Sequence, residues 1–401
     1  MKMIRQTLTA TLLCTALLSS GCAANSRNQT AGSSAVSDSV SESTESTETS
    51  SNTSEFANQT VSESETETAA ADSQETNAAV SENTPDPKAS ESESSDLYAM
   101  DTVMSLTAYG SHAKEALDAA SAEIQRLDKL FSISSETGDI YQVNKNGEGD
   151  LSEDTRSLLA SALEYGRETD GIFDCTIEPV MEAWGFTTQN YRVPSDAELS
   201  ELLSHVDAST VTLTGNHVTL PSDVKLDLGG IAKGFTSARV MDVFKENGVT
   251  SGIISLGGNV QTLGLKPDGK RWRVGIQDPS DLNSMFAVVE VSDEAVITSG
   301  AYQRYFEENG VHYHHIIDPR TGYPAKSGLT SVTIISADGT LADALSTSLF
   351  IMGADDASAF WKKHQDQFEA IMMTDSGEVL VTSGLADRCK ITSGGKVRVI
   401  S

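Results

Sequence analysis

His315-Ile316-Ile317-Asp318-Pro319-Arg320-Thr321-Gly322-Tyr323-Pro324, followed about twenty residues later by Asp343-Ala344-Leu345-Ser346-Thr347, is the stretch on which the reading of this chain turns. The first segment is too polar and too rich in turn residues to be core. Between the two, Thr330 to Ser336 reads as a strand, and Leu341 to Met352 reads as a helix. On that helix Asp343 and Thr347 are spaced i, i+4, so both oxygens face one way. Hard cations such as Mg²⁺ take oxygen ligands of this kind and leave positions for phosphate. The two elements together suggest a Mg²⁺-phosphate site with a histidine beside it.

Outward from this stretch, strands and helices come in mixed runs. Strands are expected at 104–109, 211–213, 218–220, 225–228, 252–255, 260–264, 271–277, 287–291, 296–298, 370–374 and 378–382. Helices are expected at 113–130, 155–168, 232–247 and 357–363, with a capping box at Ser195 to Glu198 opening a further short one. Strict βα alternation is absent, so α+β is the better class. Leu226-Asp227-Leu228-Gly229-Gly230-Ile231-Ala232-Lys233-Gly234 reads as a strand, a double-glycine turn and a helix start. Glycines admit close backbone approach and a helix N-terminus attracts anions, so Lys233 in the first turn is placed to face a phosphate. A plain tight turn explains the same glycines. A second pair, Gly257-Gly258, precedes Asn259, and Gly171-Ile172-Phe173-Asp174 sets an apolar ring beside a carboxylate. His312, His314 and His315 invite a zinc reading, but no carboxylate or cysteine has characteristic zinc-site spacing. One working histidine, with the others exposed or packed, is the preferred reading.

The amino terminus reads as targeting sequence. Lys2 and Arg5 precede an apolar run from Leu8 to Leu18, too short to span a bilayer as a mature helix. Ser19-Ser20-Gly21-Cys22 resembles a bacterial lipoprotein cleavage site, with residues 1–21 removed and Cys22 lipidated. Residues 22–96 are a Ser/Thr/Glu-rich tether, expected to be disordered because the composition offers little apolar surface to bury. Residues 97–401 are the expected globular domain, at the extracytoplasmic face of the cell membrane through the lipid anchor. The tether carries −13 and the leader +2, which leaves −19 of the total −30 on the domain. That balance disfavours nucleic acid as a partner. Of the four cysteines, only Cys175 and Cys389 would remain free to pair.

A set of segments in order completes the reading: Met100 to Met104, Phe131 to Asn144, Gly171 to Pro179, Leu226 to Gly234, Ser255 to Asn259, Thr298 to Tyr302, His315 to Pro324 and Ala342 to Gly353. Taken together they resemble the ApbE family of FAD:protein FMN transferases across nearly all of residues 97 to 400. The resemblance implies a T-fold-like α+β architecture of two packed lobes, with FAD as substrate at their junction and Mg²⁺ as cofactor. It implies cleavage of FAD, transfer of FMN to a Thr or Ser hydroxyl of a target flavoprotein through a phosphoester, and release of AMP. The metal ligands would be the Asp343 and Thr347 side chains, the Gly230 carbonyl and Ser346. FAD would be held by Met100, Ser134, Ile172, Phe173, Asp174, Asp227, Lys233 and Ile317. His315 would be the general base, with a rate that falls through the ordinary histidine titration range. The partner would be an exported flavoprotein with a Ser/Thr-Gly-Ala-Thr/Ser motif, such as an Rnf- or Nqr-type subunit or an extracellular FMN-binding domain. In this chain Thr298-Ser299-Gly300-Ala301 is followed by Tyr302, so self-modification is not suggested. Two alternatives use the same segments: a Mg²⁺-dependent FAD pyrophosphatase, and a non-catalytic FAD-binding lipoprotein. The second has no need of Asp343, Thr347 and His315, and all three are present.

Overall fold

A computed structural model describes residues 86 and 88–401. The expected leader, Cys22 and most of the tether lie outside the described residues. The folded part starts earlier than the expected boundary at residue 97, because Ser92–Ala99 is strand β1. It pairs antiparallel with β2 (Thr102–Tyr109), from Ser92 opposite Tyr109 to Ala99 opposite Thr102. The acidic composition hid this strand: a sheet-edge strand tolerates polar side chains on its open side.

A nine-stranded sheet runs in the order β1, β2, β6 (Gly252–Leu256), β7 (Asn259–Leu263), β10 (Ala295–Gly300), β13 (Leu329–Ser336), β14 (Glu369–Thr374), β15 (Val379–Thr382) and β17 (Val397–Ile400). Among the described residues three small sheets accompany it. One joins β3 (Glu148–Asp150), β5 (His217–Thr219) and β4 (Thr212–Thr214), and another joins β16 (Cys389–Ile391), β9 (Asp281–Val291) and β8 (Trp272–Asp278). The third is a hairpin of β11 (Tyr305–Glu308) and β12 (Val311–His314). Among the described residues eight α-helices complete the fold: α1 (Ala113–Phe131), α2 (Asp139–Asn146), α3 (Glu153–Glu168), α4 (Glu178–Trp184), α5 (Asp196–Leu203), α6 (Ala232–Glu246), α7 (Gly339–Met352) and α8 (Ala354–Lys363).

Alternation along the strands explains the layering. Ala295 and Ile297 of β10, Val332 and Ile334 of β13, and Ala370 and Met372 of β14 join the core under α7 and α8. Their neighbours Val296, Ile335, Ile371 and Met373 join the core shared with β8 and β9. The central strands are therefore apolar on both faces, as a sheet covered on both sides requires. At the β1–β2 end, Met104, Leu106 and Ala108 pack with Ala116, Leu117, Ala120 and Ile124 of α1 and with Val240 and Phe244 of α6. A fourth cluster gathers Val180, Trp184, Phe186, Leu199 and Ile317.

One expectation changes here. Residues 225–228 do not form a strand beyond an isolated bridge between Lys225 and Ile177. The Asn144 side-chain amide takes up the backbone instead, receiving Leu226 N–H at 2.7 Å and donating to Leu226 O at 2.8 Å. Cys175 and Cys389, whose pairing the sequence leaves open, are both free thiols, Cys175 buried in the main core and Cys389 half-buried against the β8–β9 core. Among the described residues, no helix is long and apolar enough to cross a membrane.

Candidate active site

The site forms where α6 begins against α7. Gly234 and Gly339 face each other so closely that a Cβ on Gly234 would lie 2.1 Å from Gly339 O and 2.6 Å from Asp343 Cβ. Only glycines allow this approach, and it presses the start of α6 against Asp343. Gly234 N–H donates to Asp343 Oδ2 at 2.8 Å. In a regular helix that donor would go to the Gly230 carbonyl, four residues back. The carboxylate diverts it, and no described backbone donor replaces it at Gly230 O. Asn259 Nδ2 donates to Asp343 Oδ1 at 2.9 Å, so both carboxylate oxygens are oriented. Asn259 follows the Gly257-Gly258 turn, whose φ values of +63° and +98° suit a tight two-residue hairpin. Ser237 Oγ shares its one proton between Gly234 O at 2.8 Å and Gln261 Oε1 at 2.5 Å, tying α6 to β7 beneath the crossing.

Beside Asp343, one helical turn on, stands Thr347. Its hydroxyl lies 3.1 Å from Ser299 Oγ of β10, and Ser299 Oγ lies 2.8 Å from Ser346 Oγ. Ser346 Oγ donates to the Asp343 carbonyl at 2.9 Å. Ser346 is fully buried and Thr347 half-buried. The donor set is thus one carboxylate, hydroxyls and a free carbonyl, all hard oxygens that fit Mg²⁺. Among the described residues no group of three or more His, Cys, Asp or Glu is placed to hold a metal.

A cationic side adjoins this oxygen pole. Lys233, in the first turn of α6, and Arg304 both bear electrostatically on Asp227 and His315, which places the four in one neighbourhood. Burial raises the Asp227 carboxyl above its usual range, against a hydrogen bond from Gly229 N–H and the fields of Arg304 and Lys233. Burial lowers His315 to about 3, and the two cations add to the effect. Its Nδ1 lies 3.1 Å from Arg304 O. A carbonyl only accepts, so Nδ1 carries the proton and Nε2 keeps its lone pair. Arg304 O also receives His315 N–H at 3.1 Å, which fixes the backbone that presents the ring.

The three histidines occupy three environments. His312 is exposed, with its ring 3.8 Å from that of Tyr305. His314 is buried, with Nε2 3.1 Å from Ala325 O and Nδ1 accepting Ile316 N–H at 3.3 Å. The Asp318 to Tyr323 turn locks itself: Arg320 donates from Nε and NH2 to the Asp318 carboxylate at 2.8 and 2.7 Å. Gly322 N–H donates to Asp318 O at 2.8 Å, and Trp184 Nε1 donates to Gly322 O at 2.7 Å.

Other expected residues fall around this centre in varied roles. Phe173 is buried and its ring meets Gly230, where an added Cβ would lie 3.3 Å away. Ile172 is buried beside it in the main core. The Asp174 carboxylate accepts Thr176 N–H at 2.7 Å and Ala208 N–H at 3.0 Å, so in this structure it braces the loop. Met100 sits at the β1–β2 turn with φ +48°, next to Asp101 at +58°. Both are non-glycine residues in the left-handed region, a strained arrangement. Met100 N–H donates to Asp128 Oδ1 at 3.0 Å, and its sulfur lies 3.8 Å from Thr236 Oγ1 of α6. Ser134 is exposed, with its hydroxyl 3.1 Å from Ser132 Oγ. Ile317 packs its side chain in the Trp184 cluster, so it offers the site backbone only. Asn259, Ser299 and Arg304 carry no such role in the sequence reading. Asn259 follows a glycine pair, a weak signal; Arg304 meets His315 through a hairpin, and no local pattern marks it.

A model of the ApbE family matches residues 100–372. A FAD:protein FMN transferase of Treponema pallidum is 35% identical over 252 residues, covering 59% of this chain and 69% of the relative. That of Haemophilus influenzae is 30% identical over 289 residues, covering 70% and 84%. A crystal structure of the ApbE protein of Thermotoga maritima superposes with a TM-score of 0.70 at 32% identity, covering 73% of this chain and 98% of that one. The flavin transferase ApbE from Vibrio cholerae gives 0.67 at 26% identity, covering 74% and 100%.

Proposed function

The chain belongs to the ApbE family, and from that premise we propose that it is a Mg²⁺-dependent enzyme that moves FMN from FAD onto a protein hydroxyl. Flavin transfer is the activity for which its relatives are named. The observation that supports the finer reading is an oriented carboxylate at the start of α6 together with an imidazole, within the field of the adjoining Lys233, held neutral with Nε2 free. Asp343, Thr347 and the Gly230 carbonyl would hold the cation. When bound, Mg²⁺ neutralises charge on the phosphate oxygens. His315 Nε2 accepts the proton of a Thr or Ser hydroxyl on the target flavoprotein. The hydroxyl oxygen forms the new bond to the FMN phosphorus, the anhydride P–O bond breaks, and AMP leaves with that electron pair. Lys233 and Arg304 offset the anionic charge of the dinucleotide. Phosphoryl transfer asks mainly for this positioning and charge balance.

Further parts of the proposal follow from the sequence. Cys22 is the lipidated residue that holds the enzyme on the extracytoplasmic face of the membrane, and the target is an exported protein with a Ser/Thr-Gly-Ala-Thr/Ser motif. The test is incubation with FAD, Mg²⁺ and an acceptor domain carrying that motif. The acceptor should gain the mass of FMN less water, with one AMP per event, and its Thr→Ala variant should gain none. Free FMN and AMP beside an unmodified acceptor would establish the pyrophosphatase reading instead. Asp343→Ala should cut the transfer rate by at least ~100-fold, on the scale of losing a key charge-stabilising group; undiminished Mg²⁺-dependent transfer would place the cation elsewhere.

A further inference from the structure

Three hydroxyls beside Asp343 form a chain whose direction is determined. Thr347 Oγ1 lies 3.1 Å from Ser299 Oγ, Ser299 Oγ lies 2.8 Å from Ser346 Oγ, and Ser346 Oγ lies 2.9 Å from the Asp343 carbonyl. Each hydroxyl has one proton, and the carbonyl has none. Ser346 must therefore donate to Asp343 O. Its oxygen then accepts from Ser299, whose single proton is thereby engaged. Ser299 in turn accepts from Thr347. This is the one assignment in which all three contacts are hydrogen bonds. It aims the Thr347 proton at Ser299 and leaves the Thr347 lone pairs turned away from it.

We propose that Ser299 is a positioning residue for the cation site: it holds the Thr347 hydroxyl proton so that the oxygen presents lone pairs to the metal, and Ser346 is a link in that chain rather than a ligand. The inference rests on the reading of Asp343 and Thr347 as cation ligands. The burial of the two hydroxyls agrees with it. Ser346 is fully enclosed, whereas Thr347 is half-open. Partners of this kind orient a ligand from behind, and their loss typically lowers metal affinity 10- to 100-fold.

The experiment is a Mg²⁺ titration of the full chain without FAD, read as the Mg²⁺-dependent rise in melting temperature, with parallel melts in EDTA. Ser299→Ala should raise the Mg²⁺ midpoint at least ~10-fold, with an EDTA melt close to that of the parent. Ser299→Thr, which keeps a hydroxyl, should restore the midpoint. An unchanged midpoint in Ser299→Ala, beside a weakened Asp343→Ala, overturns the role of Ser299. So does a loss that Ser299→Thr fails to restore, or one matched by an equal fall in the EDTA melt. A parent indifferent to Mg²⁺, or Asp343→Ala and Thr347→Ala variants that bind it as the parent does, overturns the cation site itself and this chain with it.

Discussion

His315 shows how much a single residue's chemistry depends on its surroundings. Its imidazole is neutral because burial and the neighbouring cations Lys233 and Arg304 lower it to about 3. The rate loss expected over the ordinary histidine range therefore moves to lower pH. The sign is clear: protonation blocks Nε2, so activity is present above the folded value and lost as pH falls through it. Bound phosphates oppose the field of Lys233 and Arg304 and draw the value back upward, so the acid limb should lie between about 3 and the ordinary value near 6.5. We expect His315→Ala to bind FAD yet lose roughly 10²- to 10⁴-fold in transfer rate. Rates of parent and variant across pH 4–8 check both points; a parent profile centred on the ordinary histidine value would show that the pocket leaves this group unperturbed.

At the scale of elements, the crossing of α6 and α7 determines the oxygen pole. Gly234→Ala would drive a Cβ to within 2.1 Å of Gly339 O. The helices must part, which costs about 3 kcal/mol in overpacking, and Asp343 loses its bond from the Gly234 N–H. A lower melting temperature and weaker Mg²⁺ response should appear together; a variant with the parent's values for both would mean that the crossing is slack. Helix α4 carries a second test. Glu178, at its first turn, is buried, and burial raises its carboxyl to about 7, with Lys225 opposing at 3.9 Å. A raised folded value contributes stability below the unfolded value of 4.5 that is lost as pH rises through about 7. The loss is on the order of 3 kcal/mol. Glu178→Gln should therefore match the parent in melting at pH 4 and exceed it at pH 8. Parallel curves at both pH values would show that Glu178 ionises freely in the fold.

For the whole molecule, the nine-stranded sheet holds everything in register: α6 and α7 lie on one face, and Asn259 and Ser299 reach the site from β7 and β10. The site's named residues run from Met100 to Thr347, all within the described part, so the proposed anchor at Cys22 should be separable from the proposed chemistry. Cys22→Ser should release the protein from membranes on fractionation while the transfer rate of the purified protein stays within twofold of the parent. A Cys22→Ser protein that still pellets with membranes would remove the lipid anchor from the account.

Local chemistry was enough to read much of this protein from its sequence. Helix α1 follows from apolar spacing, α5 from the Ser195 cap, whose oxygen accepts Glu198 N–H at 3.3 Å, and the Asp343–Thr347 pairing from helical geometry. The β11–β12 hairpin is absent from the expected strands, although Asn309-Gly310, at φ +51° and +77°, is the two-residue turn signal that would have marked it. The acidic edge strand β1 was not legible, because its partner is what makes it a strand. Residues 225–228 look like a strand and are not one, since Asn144 from 82 positions away takes the backbone bonds of Leu226. The same reason separates the site's two halves of knowledge. That Asp343, Thr347 and His315 are the candidates for the chemistry is legible in their spacing and residue type. That Asn259 braces the carboxylate, Arg304 tunes the imidazole and Ser299 turns a threonine is decided only by packing, because each acts across a contact that periodicity along the chain does not encode.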